Sequence, residues 1–143
     1  MNSLVLGVVK TTLAAATVAA PASYYTVAPQ QAAAAAAPAA AAASGSAQRV
    51  AEGMLGRYGW SSGQYSCLYP LWERESGWRV TAENPSSGAY GIPQALPASK
   101  MASAGPDWRT DAATQIRWGL GYIRGRYGSP CAAWAHEKAH GWY

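Results

Sequence analysis

The chain has 143 residues, a formal net charge of +4 and a pI near 9.2, which leaves room for one domain and a tail rather than two domains. Its 11 basic residues are scattered and form no run, so the charge suits a polyanion such as cell wall and gives no nucleic-acid signature. No stretch reaches the roughly 18 strongly apolar residues needed to cross a bilayer, because Lys10 interrupts the first candidate and Ala32 to Ala43 is alanine with Pro38. No retained membrane helix is expected.

Residues 1–22 read as a signal peptide: an apolar run from Thr11 to Ala20 follows Lys10, and small residues at Ala20 and Ala22 suit cleavage. Leu4 to Val9 is also apolar and precedes the lysine, so the usual order of charge and apolar core is blurred. Residues 23–46 form an Ala/Pro-rich low-complexity linker with Tyr24 and Tyr25 as the only large side chains, too poor in bulky groups to build a core. All seven acidic residues and all seven tryptophans follow position 46, which puts the folded domain at 47–143.

Within the domain, Val50, Ala51, Met54, Leu55 and Tyr58 fall on one helical face, and Gly59 ends that helix. A second helix is predicted from about Gly63 to Ser76, with Leu68, Leu71 and Trp72 along one stripe and Gly77 as its stop. From Trp78 to Pro97 the pattern breaks into turn and short-strand language, Asn84-Pro85-Ser86-Ser87-Gly88 and then Gly91-Ile92-Pro93, the one candidate for sheet. Thr110 can cap a third helix running to Tyr127, with Asp111 in its first turn and Ile116, Leu120, Ile123 and Tyr127 on one face. Ser129-Pro130 then starts a last helix from Cys131 to about His140.

Cys67 and Cys131 are either two buried thiols or a bridge. The even count, the wide separation and the export signal favour a bridge, formed in an oxidising compartment. His136 and His140 stand four apart on the last helix, but no third ligand accompanies them. Neither a metal nor a cofactor is expected. Of the seven acids, Glu75 is the one that extends an apolar stripe, lying three positions after Trp72, whereas Glu73 points roughly 200° away at helical pitch. A carboxyl among Leu71, Trp72 and Trp78 loses hydration, which raises its pKa and makes it a proton donor near neutrality. Glycoside cleavage needs such a donor; the plainer alternative is a solvated residue at a helix end.

Glu75-Ser76-Gly77-Trp78 followed by Gly88-Ala89-Tyr90-Gly91-Ile92-Pro93-Gln94 resembles the soluble lytic transglycosylase family, over about Arg49 to Tyr143. That family's pattern is a Glu-Ser pair, then Gly-Ala-x-Gly, two apolar residues and Gln. The resemblance implies a mainly α, lysozyme-like fold with helices around a cleft whose floor includes Gly88 to Gln94. It implies Glu75 as the catalytic acid and Gln94 as a cleft residue, and it leaves Glu73 without a role. Gly88 admits the close approach of backbone to a sugar chain, and Tyr90 and Trp134 are the aromatic residues expected to touch sugar. The sequence departs from the pattern at Pro93, where Met is usual, and at Ala133-Trp134-Ala135-His136, where Tyr-Asn-Ala-Gly is usual. The family's tyrosine hydroxyl therefore has no counterpart at that point.

Asn84 through Pro106 contains no acid, so the region that supplies a second carboxylate in two-carboxylate hydrolases is empty. A single acid fits the family's non-hydrolytic route on peptidoglycan glycan strands, which yields 1,6-anhydro ends. Glu83 stays open as a helper, and hydrolysis or silent binding of cell-wall glycan stay open as alternatives. The expected protein is a secreted, cell-wall-associated monomer.

Overall fold

The computed structural model describes residues 28–143, and the signal segment expected at 1–22 lies outside the described residues. Among them are helices α1 (Ala28–Met54), α2 (Tyr65–Ser76), α3 (Ala112–Tyr127) and α4 (Pro130–His140), with 3-10 turns at Leu55–Tyr58, Ser62–Gln64 and Ala98–Ser103. The fold is mainly α. None of these helices is long and apolar enough to cross a membrane.

The stretch expected as a linker over 23–46 is helical from Ala28 onward. Alanine is too small to make a core, yet it is the residue most favourable to a helix. Attachment to the domain begins before position 47, since the Ser44 hydroxyl donates to the Gly77 carbonyl at 3.3 Å. Ala47, Ala51 and Leu55 then bury one face of the chain against the core. Gly59, at φ 79°, closes the following turn in the left-handed region, as its position at the end of the apolar pattern predicted.

Helix α3 is capped by Asp111 and not by Thr110: the Thr114 N–H donates to the Asp111 carboxylate at 2.6 Å. A carboxylate here both accepts that bond and complements the positive helix start. At α4 the Ser129 hydroxyl accepts from the Ala132 N–H (3.3 Å), with Pro130 in the first turn. The inward faces of the helices meet in one core of Leu68, Leu71 and Trp72 from α2, Ile116, Leu120 and Ile123 from α3, and Ala133 from α4, with Trp78 and Ile92 from the irregular segment. A smaller cluster joins Ala95, Met101 and Trp108. Trp142 is 49% exposed. Cys67 and Cys131 form a disulfide across 64 residues, tying α2 to α4.

The segment between α2 and α3 has little sheet: only isolated bridges pair Glu83 with Tyr90 and Tyr90 with Ala95. What holds it is Gln115 on α3, fully buried. Its amide nitrogen donates to the Val80 carbonyl (2.9 Å) and the Trp108 carbonyl (2.8 Å), while its oxygen accepts the Ile92 N–H (2.9 Å). Gly91 lies against this amide at φ 76°, and a Cβ there would come within 2.5 Å of the Gln115 oxygen.

Two stability effects follow. Gln115→Leu strands three backbone groups, those of Ile92 and Trp108 in buried bonds, and should cost about 3 kcal/mol in urea unfolding. The double variant Cys67→Ala/Cys131→Ala should lose about 4 kcal/mol by the same measurement, from the long loop it reopens.

Candidate active site

Helix α2 ends where it does because Gly77 takes φ 59° and Trp78 φ 60°, so the chain reverses beneath the helix. The Gly77 N–H donates to the Glu73 carbonyl (2.9 Å) and the Trp78 N–H to the Trp72 carbonyl (3.4 Å), a pattern that satisfies the last carbonyls of a helix. Trp78 is thereby turned inward, edge-on to Trp72 with centroids 5.2 Å apart. Ser76, one residue before the reversal, is buried and donates to the Ile92 carbonyl at 2.9 Å. The serine of the Glu-Ser pair thus fastens the helix end to the Gly88–Gln94 segment.

This places Glu75 half-buried at the end of the Leu68–Trp72 stripe, while Glu73 is exposed. Glu75 opens on a cavity of about 240 Å³ bordered also by Arg79, Glu83, Asn84 and Gln94. Gln94 is held at φ 49°. Its amide nitrogen donates to the carbonyls of Gly91 (3.0 Å) and Ala82 (3.3 Å), which leaves its oxygen to offer to a ligand. Gln94 also borders a second cavity of about 120 Å³ with Lys100, Trp118, Tyr122 and Tyr143. Trp118 and Tyr122 border a third, of about 360 Å³, with Ser103 and Arg117. Their rings are stacked, 5.5 Å apart and 12° from parallel.

Burial pushes the Glu75 carboxyl up to about 7, the negative charge of Glu137 adds to the rise, and Arg74 opposes it. Beside it the Tyr143 hydroxyl accepts from the Trp72 indole N–H (2.7 Å) and donates to the Pro93 carbonyl (3.2 Å). The Tyr143 phenol is raised well above its ordinary value, first by burial and then by the charge of Glu75. Gly119 makes this packing possible, since a Cβ there would sit 2.7 Å from the Trp72 ring and 3.0 Å from Pro93.

Of the residues singled out from sequence, Glu75 and Gln94 share a cavity, and Glu83 joins them. Three others stand elsewhere. Gly88 is exposed at the tip of a turn built on Asn84, at φ 78°. The Tyr90 hydroxyl donates to the Arg109 carbonyl (2.9 Å) and its ring meets Trp108 edge-on, so it serves the smaller cluster. Trp134 packs on the core, with the Lys138 ammonium 5.6 Å from its ring. The His136 and His140 rings stack at 4.2 Å, and among the described residues no three His, Cys, Asp or Glu gather as metal ligands.

Sequence reasoning passed over Trp118 and Tyr122 as cavity residues, although their i, i+4 spacing off the core face of α3 was a readable sign. Tyr143 and Glu137 had no local sign, because each reaches the Glu75 region only through the packing of α4 and the residues after it.

Comparison with models of known protein families, with curated proteins and with solved structures gives no match, so the site's own chemistry carries the functional reading.

A carboxyl with a folded pKa of about 7 against an ordinary 4.5 holds its proton more tightly folded than unfolded. Its stabilising contribution is present below pH 4.5 and is lost as pH rises through 7. Glu75→Gln, which cannot ionise, should therefore gain thermal stability relative to the native chain at pH 8, and the difference should shrink or reverse near pH 5, as followed by circular dichroism melts.

Proposed function

We propose that this chain is a lytic transglycosylase that cleaves the bond between N-acetylmuramic acid and N-acetylglucosamine in peptidoglycan, outside the cell, where a disulfide such as Cys67–Cys131 persists. The observation that carries the reading is Glu75, a sheltered carboxyl poised near 7 at the edge of a polar cavity. A general acid works best with a pKa near the operating pH.

In this reaction the protonated Glu75 gives its proton to the glycosidic oxygen as the bond from that oxygen to C1 breaks. The resulting carboxylate then takes the proton of the muramyl 6-hydroxyl as that oxygen bonds to C1. The products are a 1,6-anhydro sugar and a free 4-hydroxyl, Glu75 is protonated again, and no water is consumed. Gln94 offers its amide oxygen to sugar N–H or hydroxyl groups beside the acid, and the stacked Trp118 and Tyr122 offer a flat apolar face farther along.

One observation favours a second reading. Glu83 borders the same cavity as Glu75, and a second carboxylate across a glycan could direct water to C1 in a hydrolase.

The products separate the two. Digests of purified glycan strands, resolved by mass spectrometry, should contain anhydro ends, and Glu75→Gln should slow their release by about a hundredfold or more. Glu83→Gln should leave them unchanged. Reducing ends that disappear in Glu83→Gln would establish hydrolysis instead.

A further inference from the structure

His136 and His140 lie one helical turn apart on α4, and their rings stack with centroids 4.2 Å apart and planes 19° from parallel. One nitrogen of each ring is already engaged. His136 Nδ1 meets the Trp142 carbonyl at 2.9 Å, and His140 Nδ1 meets the His136 carbonyl at 3.1 Å. A carbonyl oxygen only accepts, so in both rings a hydrogen sits on Nδ1. The atom left to take a ligand is Nε2 in each, and neither Nε2 has a hydrogen-bond partner among the described residues. Histidines that bind metals are arranged this way: one ring nitrogen donates to a carbonyl, which fixes tautomer and ring direction, and the other faces the ion. The i, i+4 spacing alone is common on helices, and the two carbonyl bonds are what the structure adds to it.

Two imidazoles fall short of a closed zinc site, which takes four protein ligands, and no third His, Cys, Asp or Glu joins them among the described residues. Cu²⁺ stands highest in the affinity order of the divalent first-row metals and accepts a tetragonal set of nitrogen and oxygen donors, so two ring nitrogens and water can serve it. We propose that His136 and His140 form a surface site for one Cu²⁺ ion, held by their two Nε2 atoms. His140 is exposed, which leaves its ring free to turn onto the ion. Arg126 and Lys138, the basic residues beside the pair, are exposed and lie over the rings of Trp142 and Trp134, where solvent screens their charge.

The site needs nothing of the glycan reaction, but it touches the same scaffold. His136 holds the Trp142 carbonyl, and the next residue, Tyr143, bridges the Trp72 indole and the Pro93 carbonyl. An ion that pins His136 therefore fastens the segment after α4 beside Gln94. A ligand bound by the folded chain alone also raises its stability.

The test is a titration of the full chain with Cu²⁺ in neutral buffer, read by tryptophan fluorescence and by electron paramagnetic resonance. Trp142 stands edge-on to His136 with ring centroids 4.4 Å apart, so the bound ion should quench its emission and saturate at one equivalent. The resonance spectrum should show coupling to two nitrogens, and Cu²⁺ should raise the melting temperature. His140→Ala, a change at an exposed position, should lose the saturable quench and the thermal shift. His136→Asn, whose amide can still donate to the Trp142 carbonyl, should lose them as well. Ni²⁺ and Zn²⁺ should bind at the same place more weakly. Cu²⁺ bound as tightly by both variants as by the native chain, or a spectrum without nitrogen coupling, would overturn the proposal and mark the ion as adventitious.

Discussion

The structure turns on one buried amide. Gln115 spends its polar groups on the carbonyls of Val80 and Trp108 and on the N–H of Ile92, and in doing so it replaces a sheet. A segment with two isolated bridges has too few ladder bonds to hold a shape of its own. Fixed to α3, it becomes a wall rigid enough to carry Gln94 at a backbone angle that a non-glycine residue seldom adopts. Gly91 is the matching half of the joint, because no side chain fits between the segment and the amide.

From that wall the placement of the acid follows. Ser76 reaches the Ile92 carbonyl and Tyr143 reaches the Pro93 carbonyl, so the end of α2 and the residues after α4 converge on adjacent residues. Glu75 is enclosed by this convergence and loses hydration as a consequence. The fold gives up stability near neutrality to keep a carboxyl there, a common relation between binding or catalytic sites and the scaffolds that hold them.

Much of this was legible beforehand, where local chemistry decides. Gly59 and Gly77 end their helices at the residues the pattern marked, the third helix runs to Tyr127 as expected, and Ser129-Pro130 begins the last one. The position of Glu75 could be read from its spacing to Leu68 and Trp72, since a helix carries its face with it. Asp111 displaced Thr110 as a cap because two good cap residues stood side by side and only the geometry of the turn chooses between them. The alanine segment, expected as a linker, is helical from Ala28 onward because small residues signal a poor core and a good helix at once. Tyr90 and Trp134 were chosen for their type and their place in a pattern; that the Tyr90 hydroxyl donates to the Arg109 carbonyl and that Trp134 packs on the core are set by tertiary packing. Glu137 was invisible for the same reason: that a charge on α4 would be sealed beside one on α2 depends on helix packing that no local spacing encodes.

The Cys67–Cys131 bridge acquires a second meaning in this light. It joins α2, the helix that carries Glu75, to α4, so it clamps the seam between those two helices as well as lowering the entropy of a loop. A chain kept among thiols would hold that seam by packing alone.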